Sequence, residues 1–128
     1  VATDNYAVIT PSATSSHVIV TMNFRQQNYA NGYSGAVAGW QVFRDIGGGG
    51  YSDVYPAALT EMVGSSLTGT SYETSIYYWP CICFMDSPNT TSAVTYKLYI
   101  YRRQTGTTTY FGAASGEDRV TLLEVDGS

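Results

Sequence analysis

Charge is what this chain has least of. Its 128 residues include six Lys and Arg and ten Asp and Glu, 12% of the total, where an ordinary soluble domain carries about a quarter. Clustered cations are missing as well. The net charge is −4, and the only basic run is Arg102-Arg103 with Lys97 upstream, so the electrostatic footprint of a nucleic-acid-binding surface is absent. No apolar run approaches the roughly 20 residues of a membrane span, and the start shows no basic-then-apolar leader; no membrane insertion is expected. Histidine occurs once, as His17. A hydrolytic triad needs an imidazole base, and no Gly-x-Ser-x-Gly elbow stands anywhere, so no catalytic residue is assigned.

Cysteine is nearly absent too. Cys81 and Cys83 stand two apart, a spacing too long on an extended chain for disulfide geometry. Without nearby His they make a poor zinc site. Buried free thiols acting as small hydrophobes are expected, with folding in a reducing compartment. No cofactor or metal is expected. His17 reads as a strand-end surface residue; only three copies meeting on an axis would let it hold a metal or an anion. A glycosidase pair would have to come from Asp45, Asp53, Glu61, Glu73, Asp86, Glu117, Asp118 or Glu124, most of them beside turns. Gly47 to Gly50 lacks the Lys-Ser/Thr and the helix of a phosphate loop and reads as a flexible connection. Asn89-Thr90-Thr91 fits a glycosylation acceptor pattern, with no secretory signal to support it.

What is abundant is tyrosine, twelve copies, and strand-forming alternation. A chain of this length is one domain, residues 1–128, able to bury roughly two-thirds of its unfolded surface. Val18, Val20, Met22 and Phe24 alternate with polar positions, as in a half-buried strand. Gln26 to Gly39 reads as a long loop, and Trp40 to Arg44 as a strand ended by the four glycines. Ala57 to Val63 is short, strand or irregular. Ala93 to Arg102 alternates again, Gln104-Thr105-Gly106 turns into Thr107 to Phe111 as a hairpin, and Val120 to Val125 is a final strand. Many short strands with no convincing helix predict an all-β, antiparallel sandwich or barrel.

The chain is organised around Ile76 to Met85, its longest apolar run. In a strand, side chains alternate between faces. One face then carries Ile76, Tyr78, Ile82 and Phe84, the other Tyr77, Trp79, Cys81, Cys83 and Met85, and neither holds a charge. Two dry faces in so small a chain need a second surface to cover them. A neighbouring copy is the expected cover, with Tyr77, Trp79, Cys81, Cys83, Met85, Tyr99 and Tyr101 at the interface between copies. Tyr29, Tyr33, Tyr51 and Tyr55 stand in Gly-rich connections, where rings either stack on a sugar or pack between subunits.

Three segments carry a resemblance: His17 to Phe24 with Trp40 to Asp45; Phe84-Met85-Asp86-Ser87-Pro88-Asn89-Thr90-Thr91 running into Thr95-Tyr96-Lys97; and Arg119 to Val125. Together they are similar to the C-terminal head module of phage and large-virus fibre proteins. The likeness spans most of residues 16–125, and the Asp-x-Pro-x-Thr turn is its most specific part. The Gln26 to Gly39 and Gly47 to Gly50 stretches depart from the pattern. The resemblance implies a jelly-roll head similar to tumour-necrosis-factor-like domains, assembled as a homotrimer at the tip of a tail or head fibre. Expected with it are a virion location exposed to the extracellular medium after folding in the host cytoplasm, a host-surface glycan or protein as receptor, and contact with other virion proteins through an N-terminal stalk. The chain begins at Val1 rather than Met and so reads as a trimmed piece. The alternatives are a structural capsid decoration or trimerisation cap without receptor binding, and, from another class, a glycan-cleaving enzyme.

Overall fold

The computed structural model describes residues 2–30, 36–55, 64–65, 74–102, 107–111 and 118–127. Among them there is no helix, and every strand pairing is antiparallel. The strands are β1 (Ala2–Ile9), β2 (His17–Asn23), β3 (Gln26–Ala30), β4 (Ala36–Ile46), β5 (Tyr51–Tyr55), β6 (Gly64–Ser65), β7 (Thr74–Tyr78), β8 (Cys81–Asp86), β9 (Val94–Arg102), β10 (Thr107–Phe111) and β11 (Arg119–Val125). One layer runs β1-β9-β4-β5, with β6 on the start of β4. The other is β11-β2-β8, continued by β10-β3-β7. The continuation is one ribbon with a bend. The pairs Asn23↔Cys81 and Gln26↔Tyr78 keep a single register across the break. Phe24 N donates to Pro80 O (3.3 Å) inside it, where Pro80 itself has no amide to offer the ladder.

Alternation decides the core. Val18, Val20 and Met22 on β2 and Ile82 on β8 point inward, against Trp40 and Val42 on β4 and Val94, Tyr96 and Leu98 on β9. Each fully buried aliphatic side chain contributes about 1.5–3 kcal/mol. Trp40 meets Phe24 edge-on, with ring centroids 6.4 Å apart. Polar links tie the layers together. The Asp118 carboxylate accepts from Arg25 N (3.0 Å) at the bend and from Asn5 Nδ2 (3.2 Å) on β1. Glu124 Oε1 accepts from the amide (2.6 Å) and hydroxyl (2.7 Å) of Ser12, latching the first turn to the last strand.

Several expectations need correction. The stretch from Gln26 is not all loop: residues 26–30 form β3, and β4 begins at Ala36. The apolar run at Ile76 to Met85 is not one strand, because it breaks at Trp79-Pro80 into β7 and β8. Residues 107–111 do not fold back on β9 but cross to pair with β3. Tyr51 and Tyr55 lie in a strand, β5, rather than in a connection. The turns after β4 and β8 stand as read. Gly50, at φ 107, needs the absence of a side chain, and its amide donates to Asp45 Oδ1 at 2.9 Å. The expectations for 57–63 fall outside the described residues.

Candidate functional site

Seven large apolar side chains stand exposed among the described residues, and they fall on the outer faces of the two layers. Scattered surface hydrophobes need no explanation, but clustered ones mark contact surfaces.

The first face is the outside of β11-β2-β8. Cross-strand register builds it row by row: Leu123–Ile19–Met85, then Thr121–Thr21–Cys83, then Arg119–Asn23–Cys81. Trp79 and Tyr77 carry the stripe past the bend. Trp79 is 64% exposed, Met85 63% and Leu123 58%. The Arg25 guanidinium lies 4.5 Å over the Tyr77 ring, and Thr21 Oγ1 lies 3.6 Å from Cys83 Sγ. Tyr77, Trp79, Cys81, Cys83 and Met85 therefore share one face, and Ile82 and Phe84 share the other, inner one. Both cysteines are free, but they are exposed on the chain rather than buried. Their odd positions on β8 point away from the sandwich interior, which Ile82 and Phe84 fill.

The second face is the outside of β1-β9-β4-β5. Phe43 is flanked in register by Asp53 on β5 and Lys97 on β9, and Lys97 in turn by Tyr6 on β1. The Phe43 and Tyr99 rings lie 4.3 Å apart at 43°, and Tyr51 reaches Tyr99 at 5.8 Å and 57°. Gln41, 6% exposed, donates from Nε2 to Asp53 Oδ2 at 3.1 Å. The Lys97 ammonium sits 5.6 Å from the Tyr6 ring centroid, a cation–π geometry.

The residues singled out from sequence are thus separated. Tyr99 lies across the sandwich from the Trp79 stripe, among Phe43 and Tyr51. Tyr55 turns inward: a β-bulge opposite Val42 and Phe43 breaks the alternation of β5, and the ring stacks between Trp40 (6.3 Å) and Phe84 (4.7 Å). Tyr29 lies on β3, opposite Thr108 and Ser75, and Tyr101 on β9, opposite Gly39; their side chains, and all of Tyr33, lie outside the described residues. Ile19, Leu123, Phe43, Gln41 and Lys97 were not singled out from sequence. Only the long-range pairings β11-β2-β8 and β9-β4-β5 assemble them.

Between the layers sits a polar clamp. Arg44 Nη1 donates to both oxygens of Asp86 (2.9 and 2.8 Å), and Tyr96, opposite Arg44 in register, donates its hydroxyl to Asp86 Oδ2 at 2.7 Å. Burial first, then the hydrogen bond to Asp86 and its charge, lift the Tyr96 hydroxyl far above its ordinary range, against a smaller opposing pull from Arg44. Asp45, Asp53, Asp86, Asp118 and Glu124, the described members of the carboxylate set considered above for glycoside cleavage, each accept an intrachain hydrogen bond. His17 opens β2 with Nδ1 2.6 Å from Ser87 Oγ. Among the described residues no three His, Cys, Asp or Glu converge as metal ligands. Comparison with protein-family models, with curated proteins and with solved structures finds no match to this chain.

Proposed function

We propose that this chain is the non-enzymatic head of a viral fibre or spike, in the first place a phage fibre, folded as a tumour-necrosis-factor-like jelly roll. In this reading it assembles as a homotrimer and binds a receptor on the host surface. The observation that carries it is the Trp79–Cys81–Cys83–Met85 stripe with Ile19 and Leu123, an outer sheet face left uncovered by the other described residues. Strand faces of that chemistry belong against a partner. The Leu123–Ile19–Met85 row holds no charge, so copies meeting there suffer no like-charge repulsion; the cations Arg25 and Arg119 stand toward the bend. Recognition rather than catalysis is favoured by carboxylates already engaged in holding strands and turns together. Three tethered copies also turn weak single-site contacts into avidity, which suits a fibre tip exposed to the medium and joined to other virion proteins by a stalk.

Light scattering on the purified chain tests the reading. A mass of about 42 kDa, three times 13.9 kDa, is expected at micromolar concentration. A lone 14 kDa species would remove its basis. A trimer that binds no host-surface ligand would instead be a structural cap or capsid decoration.

A further inference from the structure

We propose that the outer face of β1-β9-β4-β5 is a binding platform for a neutral saccharide. Tyr51, Tyr99 and Phe43 supply the stacking surface, and Asp53 and Lys97 supply the hydrogen-bonding margins. The proposal rests on the receptor-binding part of the reading above and is independent of assembly.

A pyranose is a disc with an apolar C–H face and a rim of hydroxyls, so its site needs rings beside fixed polar groups. The register provides that alternation, with Phe43 between Asp53 and Lys97 and with Tyr99 against Phe43 at 4.3 Å. Tyr51, 41% exposed, extends the aromatic surface to the β5 edge. The Asp53 carboxylate is anchored by the buried Gln41 amide, so little side-chain freedom is lost when its remaining acceptor sites take sugar hydroxyls. Charge selects the class of sugar. Among the described residues, Asp4, Asp45 and Asp53 share this outer face with a single cation, Lys97, whose ammonium already lies over Tyr6. A sialylated, uronic or sulfated glycan would meet three carboxylates, and a neutral one meets no penalty. The opposite face of the sandwich, lined by Leu123, Ile19 and Met85 without such polar margins, suits a dry protein contact instead.

The test is a glycan array printed with neutral, sialylated and sulfated oligosaccharides, probed with the intact chain, followed by NMR titration of the ¹⁵N-labelled chain with the best neutral hit. Binding confined to neutral glycans is expected. Tyr51→Ala and Asp53→Asn should each weaken it roughly tenfold or more, with Lys97→Gln costing only a few-fold. The shifted amides should cluster at residues 41–43, 51–53 and 97–99. A silent array, binding only to acidic glycans, or amide shifts elsewhere would overturn the proposal. So would a Tyr51→Ala chain that folds and binds unchanged, or one whose particle mass falls, because the face would then be a subunit contact. A 14 kDa mass with neutral-glycan binding by NMR sinks the fibre-head assembly and leaves this site standing; a 42 kDa mass with a silent array does the reverse.

Discussion

Tyr96, buried on β9 in one layer, donates its hydroxyl to Asp86 Oδ2 on β8 in the other, across 2.7 Å. The same carboxylate receives Arg44 from β4, so one side chain at the end of β8 fixes how the two layers meet. Removing the hydroxyl with Tyr96→Phe should cost about 1.5–3 kcal/mol, the range for a hydrogen bond to a charged group. Asp86→Ala should cost more, about 3 kcal/mol, because it strands the Arg44 charge in a half-dry setting. Denaturant midpoints at fixed protein concentration check both. Equal losses would mean that Arg44 finds water at no expense.

The alkaline limit follows from the same pair. Burial and Asp86 raise the Tyr96 hydroxyl above its ordinary 10.0, so folding favours the protonated form. That stabilisation is complete below the unfolded value and drains away as pH climbs above about 10. Stability measured between pH 9 and 11.5 should fall with a slope that Tyr96→Phe reduces.

At the acid end the Ser12 latch gives the opposite sign. The hydroxyls of Ser16 and Ser12, and then the Ser12 amide, hold the Glu124 carboxyl below its ordinary 4.5. The contribution is therefore present above that value and is lost as pH falls through the folded one. The Ser12 amide resonance, which reports Glu124 directly through the 2.6 Å bond, should titrate with a midpoint under 4.5, and Ser12→Ala should move the Glu124 midpoint back upward.

A charge placed in the apolar row should stop assembly and spare the fold. Leu123→Lys and Met85→Lys change side chains that are exposed on the single chain, so each subunit keeps its core, while a desolvated ammonium at a subunit contact costs several kcal/mol. The expected result is a mass near 14 kDa with an unchanged far-ultraviolet circular dichroism spectrum. Loss of the spectrum would show that these residues support the sandwich itself.

Much of the sandwich was legible because its signals are local. Alternation over Val18 to Phe24 and Ala93 to Arg102 gave strands and their two faces together, Val120 to Val125 read as a strand, and the two-residue period correctly put Trp79, Cys81, Cys83 and Met85 on one side. What failed depends on long-range pairing. Gln26 to Ala30 is polar and becomes a strand because β10 and β7 flank it. Trp79-Pro80 breaks the apolar run because the ribbon bends there and Phe24 N bonds across it. The sites suffered for the same reason. Tyr51 and Tyr55 look equivalent in sequence, yet one bulge leaves the first outside and sends the second between Trp40 and Phe84. Asp86 looked like a turn residue, since neither Arg44 nor Tyr96 is its neighbour along the chain.

Cys81 and Cys83 report on the central claim directly, since both thiols are open on the single chain and lie on the face proposed to join copies. Pulse labelling with a maleimide, read by mass spectrometry over a dilution series, measures whether that face is covered. Both thiols should react roughly tenfold or more slowly in the assembled wild type than in Leu123→Lys, with protection fading on dilution as mass action requires. Labelling at the same rate in both chains at every concentration would mean that the face is bare in solution, and the assembly account would be wrong.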